Sequence, residues 1–473
     1  MQGEGSFEEG SSGEGSSGKG GRRTRRIGAG GRAGALAVAV ALLGAAPSFG
    51  GPAPAEADRI LSLPGLDGAL ARQYAGYASI GETPCAGLLC DGAGENGLFY
   101  WLVARNADGA PAPTILWTNG GPGSTSFWGF FTENGPYAVS PEGTLSARPT
   151  AWNDSANYLI FDHPLGVGLS FAEDEALPAD VRDGVGAWYR ALLHLLERHP
   201  ELAAEPMLLA GESYGGTYVP LLAKAILDGN EKAGRTLVPL AGIVLAAPWV
   251  DPVVGQSMDT TYAYTHGLIG AADKAELDAV FAECSRLVAA EQPSTRAANE
   301  MCGRIKSGIE ERSGRYLLNI AEAGDPPTDQ VAAYLNRPDV RAAIHARPDG
   351  TFSFFSEAIG DRYEVGVQDS YRWAVQEALD RGVPVMVVSG LNDATDVNFL
   401  GVEAWLALLA GPRADAYRGA ERVQWKDGAG HVLGYVQAGG GLSHVTVLGA
   451  GHLSPADQPK LIDLIGETLL AGR

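Results

Sequence analysis

A short motif near the middle of the chain, Gly-Glu-Ser-Tyr-Gly at 211–215, constrains the fold more than any other stretch. An apolar run over 207–210 precedes it and predicts a buried strand, and a helical pattern follows over 217–228. A G-x-S-x-G turn between a strand and a helix is typical of a serine held above the carboxyl end of a sheet. Glycines two positions either side remove the side chains that would clash in so tight a turn. The sequence therefore predicts Ser213 as a nucleophile.

The rest of the chain tests this motif, because 65 glycines among 473 residues make the bare pattern a weak signal. Strand patterns occur at 98–105, 113–118, 157–162, 207–210, 241–247, 383–389 and 444–448, with a hairpin within 423–436. Helical patterns occur at 179–199, 217–228, 369–381 and 455–470. This alternation of strands and helices predicts an α/β fold with a mostly parallel sheet.

Four segments follow from these patterns. Residues 1–57 are expected to be a disordered N-terminus with a signal peptide. Residues 58–254 and 345–473 are expected to form the two parts of the α/β core. Between them, 255–344 is rich in Ala, Glu and Arg at helical spacing, which predicts a helical insertion that caps the sheet.

The N-terminus has the order of a secretory signal peptide. A basic stretch at 22–26 precedes an apolar run over 33–46, and Ala-Glu-Ala at 55–57 resembles a cleavage site. The run is too short to span a bilayer comfortably, although an uncleaved anchor stays open. We therefore expect an exported, periplasmic or secreted protein with no membrane span in the mature chain.

The net charge limits the possible binding partners, and the cysteines predict disulfides. The net charge of −21 argues against nucleic acids and anionic membrane surfaces. An even number of cysteines in an exported chain suggests disulfides, and the local pairings Cys85–Cys90 and Cys284–Cys302 are favoured among three connectivities. No histidine lies near either pair, so we expect neither a metal nor a cofactor.

Two further residues follow predicted strands in the order expected for a nucleophile, an acid and a base. Asp393 and His452 come after Ser213, each just beyond a core strand. Such a histidine accepts the serine proton, and the carboxylate orients the imidazole. His431 is a rival but lies in the predicted hairpin, and Asp396 is a rival that lies further from its strand.

A glycine-rich loop, Asn-Gly-Gly-Pro-Gly-Ser at 119–124, follows the strand at 113–118. Backbone N–H groups in such a loop can stabilise the oxyanion of an acyl-transfer intermediate. A phosphate loop is the alternative, but the G-K-[ST] ending is absent.

These motifs together resemble the serine carboxypeptidases, a family of α/β-hydrolases, from residue 58 to the C-terminus. The matching stretches are 61–66, 98–101, 117–124, 133–136, 166–171, 211–216, 334–336, 450–452 and 457–459. The resemblance implies an α/β-hydrolase fold with a triad of Ser213, Asp393 and His452. It implies that the N–H groups of Gly121 and Tyr214 form the oxyanion hole. It also implies a binding site for a peptide's terminal carboxylate, formed by Asn119, Gly120, Glu133 and Glu212 with support from Trp117.

The implied carboxylate site has a distinctive electrostatic requirement. A ligand carboxylate beside Glu133 and Glu212 brings three acids into one pocket, so at least one pKa must rise. Protonated glutamates donate hydrogen bonds to the ligand, which predicts an acidic optimum. We therefore expect an exported serine carboxypeptidase that releases C-terminal amino acids through an acyl-enzyme. An esterase or acyltransferase on the same scaffold and a non-catalytic binding protein are the alternatives.

Overall fold

The structure is a computed structural model that describes residues 54–81, 96–105, 110–172, 176–394 and 397–470. The predictions that concern residues 1–53, Cys85, Cys90 and Asp396 lie outside the described residues.

Apolar runs form most of the strands, which lie in one large sheet and one separate two-stranded sheet. Their bounds are β1 Gln73–Ser79, β2 Gly97–Val103, β3 Thr114–Thr118, β4 Tyr137–Val139, β5 Leu145–Ala147, β6 Asn157–Phe161, β7 Met207–Ser213, β8 Leu240–Pro248, β9 Val385–Gly390, β10 Arg422–Lys426, β11 Val432–Gly439 and β12 Leu442–Val447. Within the described residues, ten strands lie in the order β1-β2-β6-β3-β7-β8-β9-β12-β11-β10, and β4 pairs with β5 separately.

The centre of the sheet, from β6 to β12, is parallel, and the strands at both edges are antiparallel. Parallel strands are buried on both faces, which explains why β7, β8 and β9 are continuous apolar runs. The predicted α/β architecture with a mostly parallel sheet is confirmed.

Helices cover both faces of this sheet. Their bounds are α1 Val181–Arg198, α2 Gly215–Ala233, α3 Pro252–Gln256, α4 Asp259–Thr265, α5 Ala271–Ala290, α6 Arg296–Ser313, α7 Asp329–Leu335, α8 Pro338–Ala343, α9 Glu357–Tyr363, α10 Arg372–Asp380, α11 Phe399–Leu406, α12 Gly411–Arg418, α13 Ser454–Asp457 and α14 Leu461–Ile465. Buried side chains of α1, α2 and α10 pack on one face, and those of α7, α8 and α14 pack on the other.

The segment 255–344 is helical but does not pack as one unit. Helices α5 and α6 pair with each other, share a third apolar cluster and are joined by the predicted Cys284–Cys302 disulfide. Helices α7 and α8 bury their side chains in the main core instead. The C-terminal part of the expected cap therefore contributes to the body of the protein, and the domain boundaries stay a prediction.

The closing helix expected over 455–470 is divided into α13, α14 and a π-helical turn over Gly466–Leu470. Gln458, which ends α13, has φ −134° and ψ 81°, outside the helical region. The following Pro459 disfavours a helical conformation at Gln458 and has no N–H to continue the helix. The prediction of one continuous helix was wrong for this reason.

Candidate active site

Ser213 occupies a strained turn between β7 and α2. Its φ is +59°, a value that residues other than glycine rarely adopt, and its carbonyl accepts a hydrogen bond from the Trp249 N–H at 2.8 Å. A Cβ added to Gly211 would lie 2.6 Å from Val219 Cγ2, so glycine is required for this close approach. The structure therefore contains the strand, sharp turn and helix that the motif predicted.

Asp393 and His452 meet at the carboxyl edge of the sheet, where the neighbouring parallel strands β9 and β12 end. His452 Nδ1 lies 2.8 Å from Asp393 Oδ2. Asp393 is fully buried, and His452 is 6% exposed. A carboxylate in this position accepts the Nδ1 hydrogen, which leaves Nε2 as the basic nitrogen of the ring.

The rival histidine lies elsewhere. His431 is in the turn between β10 and β11, where its Nδ1 lies 3.1 Å from Asp427 Oδ2 and the side chain is 77% exposed. This is the hairpin position that the sequence predicted.

The loop after β3 runs along the turn after Ser213. A Cβ added to Gly120 would lie 2.2 Å from the Tyr214 backbone nitrogen, so only glycine allows the two backbones to approach this closely. Gly121, with φ +106°, and Tyr214 line the same cavity of about 420 Å³ as Ser213. We call it the serine cavity. The two predicted oxyanion donors and the predicted nucleophile thus border one space.

Asn119 connects the two glutamates that the resemblance assigned to carboxylate binding. Its Oδ1 accepts hydrogen bonds from Trp117 Nε1 at 3.0 Å and from the Gly129 N–H at 2.8 Å. Because both partners can only donate, the Asn119 amide nitrogen must face the other way. It donates to Glu133 Oε1 at 3.0 Å and to Glu212 Oε1 at 3.2 Å.

Both glutamates are almost fully buried, with 4% and 2% of Glu133 and Glu212 exposed. Burial raises the pKa of Glu133, against hydrogen bonds from Glu212 and Asn119 that lower it. Burial and the neighbouring Glu133 raise the pKa of Glu212 well above its usual range. Both shifts favour a protonated glutamate in the pair, and a protonated glutamate can donate a hydrogen bond.

Trp117 supports this cluster from β3. It is fully buried and packs edge-on against Trp152 with ring centroids 5.2 Å apart. A Cβ added to Gly129 would lie 2.2 Å from Trp117 Nε1. The indole is thus fixed where its N–H orients Asn119.

A sequence model described as serine carboxypeptidase matches residues 64–469. The chain belongs to the serine carboxypeptidase family. The venom serine carboxypeptidase of Apis mellifera is 32% identical over 383 residues, which cover 78% of this chain and 80% of that protein. The serine carboxypeptidase-like 50 protein of Arabidopsis thaliana is 32% identical over 367 residues, which cover 76% and 81%. This family consists of serine-type hydrolases that act as exopeptidases.

A solved structure supports the fold. A prohormone-processing carboxypeptidase from Saccharomyces cerevisiae superposes with a TM-score of 0.75 at 21% identity, over 87% of this chain and 96% of that one. The predicted α/β-hydrolase fold of this serine carboxypeptidase is confirmed. Within the described part of the chain, no helix is both long and apolar enough to cross a bilayer.

A second cavity, of about 380 Å³, lies beside the loop that carries His452. Thr132, which precedes Glu133, and Leu453, which follows His452, line it. We call it the histidine cavity. Its other lining residues are Tyr316, Leu318, Asn319, Glu322, Gly324, Asp325, Pro326, Ala456 and Asp457. The lining residues between Tyr316 and Pro326 could not be predicted from the sequence, because the stretch between α6 and α7 carries no periodic pattern.

Sequence reasoning also missed Asp162, a buried acid just after β6. Burial raises the pKa of this carboxyl to about 7, although the Leu169 N–H donates to it at 2.7 Å and Thr125 Oγ1 also donates to it. Its position at the end of a predicted strand was the signal that could have identified it.

Proposed function

We propose that this serine carboxypeptidase releases single amino acids from peptide C-termini through an acyl-enzyme on Ser213. The observation that carries the proposal is the buried cluster of Asn119, Glu133 and Glu212 directly beside the serine turn. A general esterase has no need for two glutamates beside its nucleophile, whereas a terminal carboxylate requires donors there.

In the proposed reaction, Ser213 Oγ attacks the last peptide carbonyl and its proton passes to His452 Nε2. The oxygen that becomes negative accepts hydrogen bonds from the N–H groups of Gly121 and Tyr214. His452 then protonates the leaving amine, and the C–N bond breaks to leave an ester on Ser213. Water, deprotonated by His452, hydrolyses this ester and restores the serine. Asp393 orients His452 and stabilises its charged form.

Substrate recognition in this proposal depends on protonated glutamates. The Gly120 backbone N–H and a neutral glutamate donate to the substrate carboxylate. The Asn119 amide, whose two hydrogens are donated to Glu133 and Glu212, holds the glutamates in place. As the pH rises, the glutamates ionise and repel that carboxylate. Binding is therefore strongest at acidic pH and is lost as the pair deprotonates.

We also propose that the enzyme is exported. The signal-like N-terminus, the buried Cys284–Cys302 disulfide and the net charge of −21 support this location. Peptides or protein C-termini are the proposed substrates, and nucleic acids are not.

The test is amino acid release from an N-blocked dipeptide over about pH 4 to 8, beside its C-terminal amide and a Ser213→Ala control. The proposal predicts cleavage of the free acid alone, best at acidic pH and absent from the control. Ester hydrolysis without peptide cleavage would favour the esterase or acyltransferase alternative. Failure of a serine-directed probe to label Ser213 would favour a non-catalytic protein.

A further inference from the structure

The helical insertion returns to the sheet through a short segment, 317–320, that lies between the loops carrying Asp393 and His452. The Leu317 carbonyl accepts the Ala394 N–H at 2.9 Å, and the Ile320 N–H donates to the Asn392 carbonyl at 3.0 Å. On the other side, the Leu318 carbonyl accepts the His452 N–H at 2.7 Å. We call residues 317–320 the clasp segment.

A side-chain contact fixes the clasp segment to the histidine loop. Asp457 Oδ2 accepts the Gly451 N–H at 2.8 Å and the Asn319 Nδ2–H at 3.3 Å. Asn319 Oδ1 accepts the Ala321 N–H at 3.0 Å, so its amide nitrogen is the atom that faces Asp457. One carboxylate oxygen therefore joins the residue before His452 to the insertion.

The backbones are too close here for a side chain to intervene. A Cβ added to Gly451 would lie 2.4 Å from the Leu318 carbonyl oxygen, and one added to Gly390 would lie 2.0 Å from the Gly451 oxygen. The Asn392 N–H also donates to the Ala450 carbonyl at 2.8 Å. A shift of the clasp segment is thus transmitted to both catalytic loops.

We propose that Asn319 and Asp457 are positioning residues that hold His452 in its catalytic geometry and couple it to the helical insertion. This rests on the proposed role of His452 as the base. Neither side chain takes part in the chemistry. Because a displacement of about 1 Å at a catalytic group can cost about 100-fold in rate, the loss should appear in kcat.

The test compares Asp457→Ala, Asp457→Asn and Asn319→Asp by kcat and KM for the dipeptide. Asparagine at 457 keeps an acceptor oxygen, so Asp457→Asn should keep kcat within about threefold of the wild type. Asp457→Ala removes the acceptor, and Asn319→Asp keeps the bond to Ala321 but replaces the donor by a carboxylate oxygen that faces and repels Asp457. Each should lower kcat about tenfold with KM within about twofold. Combining Asp457→Ala with Asn319→Asp should lose little more than either alone.

Arg312→Ala is the matched control, because it removes two ion pairs within the insertion, to Asp273 and Glu276, without touching the clasp segment. It should leave kcat unchanged. The NMR signal of the His452 Nδ1 proton should shift or broaden in Asp457→Ala and Asn319→Asp alone.

Two results would overturn the inference while the wild type still cleaves peptides. One is a folded Asp457→Ala or Asn319→Asp enzyme with wild-type kcat. The other is an equal loss of kcat in Asp457→Asn and Asp457→Ala, which would show that kcat does not depend on an acceptor oxygen at residue 457. If Asp457→Ala does not fold, Asn319→Asp decides the question. A wild type that cleaves no peptide refutes the proposed function instead.

Discussion

Replacing both buried glutamates by glutamine tests whether their protonation causes the tighter peptide binding that we expect at acidic pH. The Glu133→Gln, Glu212→Gln double variant keeps the acceptors for Asn119, which lie 3.0 and 3.2 Å from its amide nitrogen. It also mimics the protonated pair at every pH. The prediction is that its KM for a peptide no longer rises with pH.

The magnitude follows from the closeness of the charges. Two like charges about 4 Å apart repel by roughly 4 kcal/mol at an effective dielectric constant of about 20, which is a factor of about 10³ in affinity. Each bound substrate requires a retained proton, so wild-type KM should rise up to about tenfold per pH unit once the pair ionises. KM of the double variant should vary by less than about threefold over the same range.

The assay measures KM and kcat separately for an N-blocked dipeptide from about pH 4 to 8. An N-blocked amino acid ester, which has no terminal carboxylate, serves as the control substrate, and its KM should be flat in both enzymes. An unchanged rise of KM in the double variant would refute the electrostatic reasoning.

Three further predictions concern other parts of the molecule. The pKa of Asp162 is about 7 in the fold against 3.8 ordinarily, so its stabilising effect is complete below about pH 4 and is lost as pH rises through 7. At about 1.4 kcal/mol per pKa unit, the free energy of unfolding falls by roughly 4 kcal/mol over this pH range. Asp162→Asn should therefore flatten the decline of Tm with pH, and an equally steep decline in the variant would contradict this. Gly120→Ala should lower kcat/KM at least about 100-fold and lower Tm, because its Cβ would lie 2.2 Å from Tyr214 N. Activity assays and thermal melts check this, and a wild-type rate would refute it. We expect the side chain of the released residue to enter the histidine cavity, which the carboxyl groups of Glu322 and Asp325 line. A C-terminal Lys should then be released about tenfold faster than Glu in kcat/KM at low salt, and equal rates would refute this.

The sequence contained strong signals for the sheet and for the residues that lie on its carboxyl edge. Runs such as Met207–Ala210 are apolar on both faces, which is typical of a buried parallel strand, and the order of strands and helices restricts the topology. Once the strands are known, residues that follow them must meet at one edge. This is why Ser213, Asp393 and His452 could be proposed from their positions alone.

Other features depend on contacts that no local pattern encodes. Asn319 and Asp457 are 138 residues apart in sequence, and only the folded insertion brings them together. Helices α7 and α8 follow the rest of the insertion in sequence but pack on the main sheet. The interruption of the closing helix, by contrast, has a local cause, because Pro459 disfavours a helical conformation at Gln458 although the helical pattern of apolar residues continues beyond it.

The proposed enzyme recognises a free terminal carboxylate and cuts the last peptide bond. The most direct measurement is mass spectrometry of a short peptide and its C-terminally amidated twin, each incubated with the enzyme at about pH 5. We expect stepwise loss of single residues from the free acid, an intact amide, and no reaction with Ser213→Ala. Internal cleavage, or equal cleavage of the two peptides, would contradict it.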